Sequence, residues 1–62
     1  MWQFTASKDA QQPGWRWARI SERGITYQTS PATFDSLGKA LGNAMLYGFD
    51  GTQDEFRLIG LE

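Results

Sequence analysis

Three stretches of the chain have the pattern of β-strands. Residues 2–5 and 15–20 alternate between large apolar and polar side chains, as half-buried strands do. Residues 25–29 are rich in β-branched and aromatic side chains, which strands favour. Pro13-Gly14 and the four residues 21–24 supply the chain reversals between them. The pattern therefore predicts three sequential strands joined as hairpins.

Alternation assigns the side chains of these strands to two faces, because successive residues of a strand point to opposite sides. The face expected to be buried carries Trp2, Phe4, Trp15, Trp17, Ile25 and Tyr27. The opposite, thinly polar face carries Gln3, Thr5, Arg16, Ala18, Thr26 and Gln28. Arg19 falls on the same side as the tryptophans.

An amphipathic helix follows the third strand. Its apolar stripe has three- and four-residue spacing and consists of Phe34, Leu37, Leu41, Ala44 and Met45. Thr33 is the predicted N-cap, with Ser30 followed by Pro31 as the competing start. Gly48 is expected at the left-handed C′ position, with Phe49 packing back on the last turn. Gly38 and Gly42 suggest a close approach of the helix to the sheet.

Residues 50–62 form either a short fourth strand beginning at Phe56 or a packed tail. The sequence thus predicts an α+β fold: a three-stranded antiparallel meander with one helix packed on one face and a possible short fourth C-terminal strand. Residues 1–62 are expected to form a single domain. Its predicted core is Trp2, Phe4, Trp15, Trp17, Ile25, Tyr27, Phe34, Leu37, Leu41 and Met45.

The stretch from Gly14 to Ile20, a turn, and then Phe34 through Gly48-Phe49 resembles a group of small uncharacterised bacterial ββα domains. Some members of that group carry two such units in tandem, which form one continuous sheet. The resemblance implies no catalytic residue. In tandem members the second unit covers the sheet edges and the aromatic core that one unit leaves exposed. A single unit can gain the same cover by pairing with a copy of itself, so we expect a homodimer.

Composition narrows the chemistry. The chain has no cysteine and no histidine, which removes thiolate and imidazole ligands and nucleophiles. No spacing of carboxylates or glycines matches a catalytic, metal or phosphate motif, so we expect no enzyme activity, no metal and no cofactor. The absence of disulfides, of a signal peptide and of a long apolar run predicts a cytoplasmic protein without a membrane span.

Charge is divided unevenly along the chain. The net charge is −1, yet residues 1–31 carry most of the basic side chains and residues 32–62 most of the acidic ones. Arg16, Arg19 and Arg23 are interleaved with Trp15 and Trp17, an arrangement similar to that of β-sheet DNA readers. The negative net charge makes nucleic acid an unfavoured partner. The simpler interpretation is that the arginine stems lie over aromatic rings while the charge stays in water.

Three functions remain open at this stage. The leading one is a non-enzymatic interaction module that binds a protein partner or itself through a sheet face or edge. The second is a DNA-binding β-sheet module that uses Arg16, Arg19 and Arg23. The third is a small-molecule binder with Trp15, Trp17 and Tyr27 as an aromatic wall. The candidate interaction surface consists of Arg16, Arg19, Arg23, Thr26 and Gln28.

Overall fold

The computed structural model describes residues 1–7 and 14–60. They form four strands and one helix, in the order β1 (Trp2–Ser7), β2 (Gly14–Ile20), β3 (Thr26–Thr29), α1 (Leu37–Leu46) and β4 (Phe56–Ile59). The predicted α+β class is confirmed, and the fourth strand forms. The reversal predicted at Pro13 lies outside the described residues. Within those residues no helix has the length and apolar character that crossing a membrane would require.

The four strands make one sheet in the order β3-β2-β1-β4. Strands β1, β2 and β3 pair antiparallel in sequence, as the meander requires. Strand β4 pairs parallel with β1, so the whole sheet is mixed. Strands β3 and β4 run in the same direction as β1. A chain that leaves one strand and enters another parallel strand of the same sheet needs a long connection. Helix α1 lies in that connection and packs on β1 and β2.

The helix begins later than the sequence predicts. Ser36 is the N-cap, and its Oγ accepts a hydrogen bond from the Lys39 backbone N–H at 3.2 Å. The predicted caps Thr33 and Ser30 are both wrong. They lie in the connection between β3 and α1, where Phe34 exchanges two backbone hydrogen bonds with Trp15, at 2.6 and 2.8 Å. Phe34 therefore forms hydrogen bonds with the backbone of Trp15 in β2 instead of entering the helix.

The helix ends as predicted, at a glycine in the left-handed region. Gly48 has φ 106°. Its N–H donates to the Met45 carbonyl at 3.2 Å, and the Phe49 N–H donates to the Ala44 carbonyl at 3.0 Å. This pair of bonds is a Schellman motif, in which the residue after the glycine packs against the last turn. The motif turns Phe49 into the core, where it is buried.

The core lies between α1 and the helix-facing side of β1 and β2. Its buried members are Trp2, Phe4, Trp17, Ala40, Ala44 and Phe49, with Trp15, Phe34, Leu37 and Leu41 partly buried against them. Close approach of the helix comes from Ala40 and Ala44, which are fully buried. Gly38 and Gly42 are exposed, so the prediction that they mediate this approach is wrong.

Three predicted core residues are exposed instead. Ile25 is 62%, Tyr27 56% and Met45 63% accessible to solvent. Ile25 and Tyr27 are uncovered because α1 packs on β1 and β2, not on β3, among the described residues. Met45 follows the buried Ala44 and is therefore turned about 100° around the helix axis, away from the sheet.

The buried indole of Trp17 needs a hydrogen-bond acceptor, and the helix supplies it. Trp17 is 1% accessible, and its Nε1 donates to Oδ1 of Asn43 at 2.8 Å. A buried donor without a partner costs free energy, so this bond fixes how α1 is rotated over the sheet. The pairing joins residues 26 positions apart along the chain.

Replacing Asn43 with alanine should lower the free energy of unfolding by about 1–2 kcal/mol, because the Trp17 N–H loses its acceptor while the helix gains only a little propensity. Urea unfolding followed by circular dichroism measures the loss. The matched control is Lys39→Ala, which breaks an exposed Lys39–Asp35 ion pair of 2.9 Å on the same helix. The control should change stability by less than about 0.5 kcal/mol. Equal effects of the two variants would contradict the assignment.

Candidate interaction surface

The five residues of the predicted interaction surface do not lie together. Below, the helix face is the side of the sheet that contacts α1, and the open face is the opposite side. Arg16 and Thr26 are exposed on the open face, where they line one groove. Arg19 and Gln28 lie on the helix face, and Arg23 is in the β2–β3 turn. The prediction of one shared surface is therefore wrong.

A β-bulge in β3 explains why Gln28 changes sides. Arg19 is opposite Gln28 and Ile20 is opposite Thr26, so Tyr27 is an extra residue in β3. In such a bulge, two residues on one strand oppose a single residue on the partner strand. Arg19 accordingly contacts both Tyr27 and Gln28. Strict alternation along 25–29 cannot reveal this shift.

Arg19 is a packing residue at the end of the helix face. Its guanidinium carbon lies 4.7 Å from the Trp2 ring centroid and 5.3 Å from that of Tyr27. Nη1 donates to Oε1 of Gln28 at 3.2 Å, while the buried Nε has no hydrogen-bond partner among the described residues. The guanidinium group itself thus lies over the Trp2 and Tyr27 rings with one nitrogen buried, whereas the simpler sequence interpretation expects the charge to stay in water.

Substituting Arg19 with methionine should destabilise the fold by about 1 kcal/mol, because the stem is kept while the cation–π contacts and the bond to Gln28 are lost. Thermal unfolding measures the change. Arg23→Met removes the same charge from an exposed turn position. That control should stay within about 0.5 kcal/mol of the original chain. A control as unstable as the Arg19 variant would show that net charge, not stacking, is responsible.

The aromatic wall proposed for a small-molecule site does not form. Trp17 is buried, Trp15 packs against the core, and Tyr27 stacks on Arg19. A cleft of about 640 Å³ does lie at this end of the sheet. Its lining mixes both signs of charge, including Arg19, Glu22, Glu55 and Arg57. The cleft therefore favours no one class of charged ligand.

The open face carries arginines but no acidic side chain among the described strand residues. Its members, taken from the strand register, are Gln3, Thr5, Ser7, Gly14, Arg16, Ala18, Ile20, Thr26, Thr29, Arg57 and Ile59. A groove of about 330 Å³ runs over it, lined by Thr5, Arg16, Ala18, Thr26, Thr29 and Ser30. Hydroxyl groups and a guanidinium group are donors that suit an anionic partner.

Arg57 is the open-face residue that the sequence-based surface omits. It is opposite Gln3 on β1, whereas Arg16 is opposite Thr5, two residues further along the same strand. Two strand spacings and two residue steps place the two arginine Cα atoms about 12 Å apart. Alternation along residues 56–59 puts Arg57 and Ile59 on one side of the strand. What it could not give was the position of β4 beside β1.

Strand β4 forms an edge of the sheet with unusual exposure. All four of its residues are exposed, although three are large and apolar: Phe56 at 45%, Leu58 at 38% and Ile59 at 37%. The Trp2 N–H donates to the Glu55 carbonyl at 3.0 Å, so the backbone groups of residues 55, 57 and 59 point towards β1. Those of Phe56 and Leu58 therefore point outwards, where no other described strand pairs with them.

The opposite edge, β3, differs in the features that prevent edge pairing. Its sequence is Thr-Tyr-Gln-Thr, and it contains the bulge at Tyr27. Bulges and polar side chains are both devices that protect sheet edges from pairing with other strands. Strand β4 has neither proline, lysine nor a bulge within its four residues. The two edges are therefore unequal, and β4 is the one suited to pairing.

The two aspartates of the turn before β4 accept hydrogen bonds from within that turn. Asp50 Oδ1 accepts from the hydroxyl and the backbone N–H of Thr52, at 2.7 and 2.9 Å, and these bonds lower the pKa of Asp50. Asp54 Oδ2 accepts from the Asp50 N–H at 2.9 Å. Among the described residues, no group of three potential ligands could hold a metal ion.

Comparisons of the chain with protein-family models, with curated proteins and with solved structures found no match. The resemblance to bacterial ββα domains therefore stays an expectation from the sequence. Function has to be argued from the residues of the open face and of the β4 edge.

Proposed function

We propose that this chain is a non-enzymatic interaction module that self-associates by pairing its edge strand β4 with β4 of a second copy. The observation that supports it is the outward-facing backbone of Phe56 and Leu58 on an apolar, exposed strand. Unpaired N–H and C=O groups at a sheet edge are a template for another strand. A cysteine-free chain needs no oxidising compartment, which supports a cytoplasmic setting.

The size of the core also supports association. A chain of about 60 residues buries only about 60% of the surface that its unfolded form exposes. Here Phe56 and Leu58 lie beside the core without full cover, since Phe56 contacts Phe49 and Phe4 at ring distances of 5.6 and 6.0 Å. A second β4 strand would bury the free side of both residues. That burial would add apolar contacts at β4, whose four residues are all exposed.

A two-fold axis beside β4 gives an antiparallel β4–β4 pair and one continuous eight-stranded sheet. The edge is four residues long, so the interface is small and the dimer weak. A homodimer is preferred to a foreign strand because two copies of one edge are self-complementary under two-fold symmetry. A partner protein that adds its own strand to β4 would use the same backbone groups.

Leu58→Pro tests the proposal, because proline replaces the outward-pointing Leu58 N–H with a ring carbon that projects from the edge, and it does so without breaking the β1–β4 ladder. Sedimentation equilibrium from about 10 µM to about 1 mM, the range of a weak interface, should show a dimer for the original chain. The proline variant should remain monomeric with an unchanged circular dichroism spectrum.

Leu58→Ala is the control, since it removes more of the leucine side chain than proline does but keeps the backbone donor and adds no ring at the edge. It should still dimerise, with an affinity reduced by less than about tenfold. A strictly monomeric original chain across the whole range would overturn the proposal. A monomeric original chain that binds a partner protein through β4 would leave the edge correct and the second copy wrong.

A second candidate function is supported by the open face, whose strands present Arg16 and Arg57, with Glu55 two residues before Arg57 as the nearby acidic side chain. Such a face could contact the phosphates of a nucleic acid backbone. The candidate differs from the sequence-based one in its residues. Arg19 is withdrawn to the helix face, and Arg57 takes its place.

Fluorescence anisotropy with mixed-sequence duplex DNA at low salt tests this candidate, because electrostatic binding is strongest there. Arg16→Gln should weaken binding by about tenfold, the loss expected for one charge-assisted hydrogen bond. Arg23→Gln, which changes the same charge in the β2–β3 turn, should weaken it much less. Binding that is undetectable in low salt, or equally weakened by both changes, would reject nucleic acid as the partner of this face.

A further inference from the structure

We propose that the two β4 strands of the dimer pair in one register, centred on Phe56, in which Glu55 of each copy forms an ion pair with Arg57 of the other. This inference rests on the proposed function, because it assumes that β4 is the dimer edge. It adds the feature that would make the pairing specific for a second copy. The apolar character of β4 alone does not supply that specificity.

Backbone geometry limits the choice of register to three. Hydrogen bonds between the copies can use only the outward-pointing groups, which belong to Phe56 and Leu58. Under two-fold symmetry the antiparallel pair can then be centred on Phe56, on Arg57 or on Leu58. Each choice places a different residue opposite Arg57.

The register centred on Arg57 puts the two Arg57 side chains directly opposite each other. Like charges at that position destabilise a strand pair. Arg57 is exposed and forms no ion pair of its own among the described residues, and Glu55 would lie only diagonally across from it in this register.

The register centred on Leu58 requires the strand to continue through residue 60, opposite Phe56 of the second copy. Gly60 has φ 86°, which is outside the strand region and ends β4. Its backbone is also tightly placed, because a Cβ at this position would lie 2.5 Å from the Ala6 carbonyl oxygen. The chain therefore turns away from the edge before the pairing could be completed.

The register centred on Phe56 places Leu58 opposite Asp54, which lies in the turn before β4, so its pairing is shortened as much as that of the Leu58 register. The two registers differ in charge: the Leu58 register puts Arg57 opposite Ile59, whereas the Phe56 register places unlike charges together. Glu55 is then opposite Arg57 of the second copy, and by symmetry the same pair forms twice. The Glu55 carbonyl bonds to Trp2, so its backbone is still in line with β4, and Glu55 and Arg57 line the same cleft. Directly opposed residues at such positions have Cα atoms about 4.5 Å apart, within reach of an ion pair.

Charge reversal on each residue tests the register. Glu55→Arg alone and Arg57→Glu alone each place two like-charged pairs at the interface, and each should weaken the homodimer by about tenfold or more. Mixing the two single variants in equal amounts should produce a heterodimer, because every Glu then faces an Arg. The double variant Glu55→Arg/Arg57→Glu should recover homodimerisation to within about threefold.

Sedimentation equilibrium at low salt measures all four samples, with Arg23→Glu as a control that makes the same charge change in the β2–β3 turn. The control should dimerise like the original chain. If the original chain dimerises through β4 but the mixture does not, the register is wrong while the edge assignment stands. If the original chain is monomeric, the proposed function itself fails, and the two failures are therefore distinguishable.

Discussion

Phe49 is the contact on which the rest of the structure depends. Its ring lies 5.2 Å from Trp2, 5.3 Å from Phe4 and 5.6 Å from Phe56, between ring centroids. It thereby joins the end of α1 to both β1 and β4. Aromatic rings in edge-to-face contact contribute beyond their buried area, and a small domain without disulfides depends on such contacts. The position of β4 follows from this cluster, since Phe56 enters the sheet against Phe49.

The position of β4 has a consequence for the surface. A strand held on one side by β1 and below by Phe49 is fixed in place but still has a free outer edge. The β3 edge is modified by its bulge, whereas β4, of equal length, pairs with β1 without a bulge and is mostly apolar. The same aromatic contact that completes the core therefore creates the edge most suited to association. In the proposed dimer, stability and assembly would be coupled through this one side chain.

Sequence patterns gave the element types and the helix end because these depend on local rules. A glycine followed by an aromatic residue after an apolar stripe specifies the Schellman turn at Gly48. The helix start could not be located in this way, since Thr33 and Ser36 are both good caps. The choice between them depends on Phe34 bonding to Trp15, a contact between segments far apart in sequence.

The candidate surface was harder to predict than the fold for a related reason. Assigning Gln28 to a face requires knowing the bulge at Tyr27, and bulges are set by pairing with β2. Including Arg57 requires knowing that β4 lies beside β1. Alternation within one strand gives the relative sides of its residues, but the register between strands decides which residues become neighbours.

The two proposed uses of the surface are not independent, because both involve Arg57. An ion pair between Arg57 and Glu55 of a second copy would neutralise the charge of Arg57, one of the two arginines on the open face. Each dimer would then present Arg16 of each copy without an ion pair. The two Arg16 residues lie on the two β2 strands, and four strands lie between them. At strand spacings of about 4.8 Å, that separation exceeds the Debye length at physiological ionic strength, so the two charges would act nearly alone. Self-association through the Phe56 register therefore argues against phosphate binding on the open face.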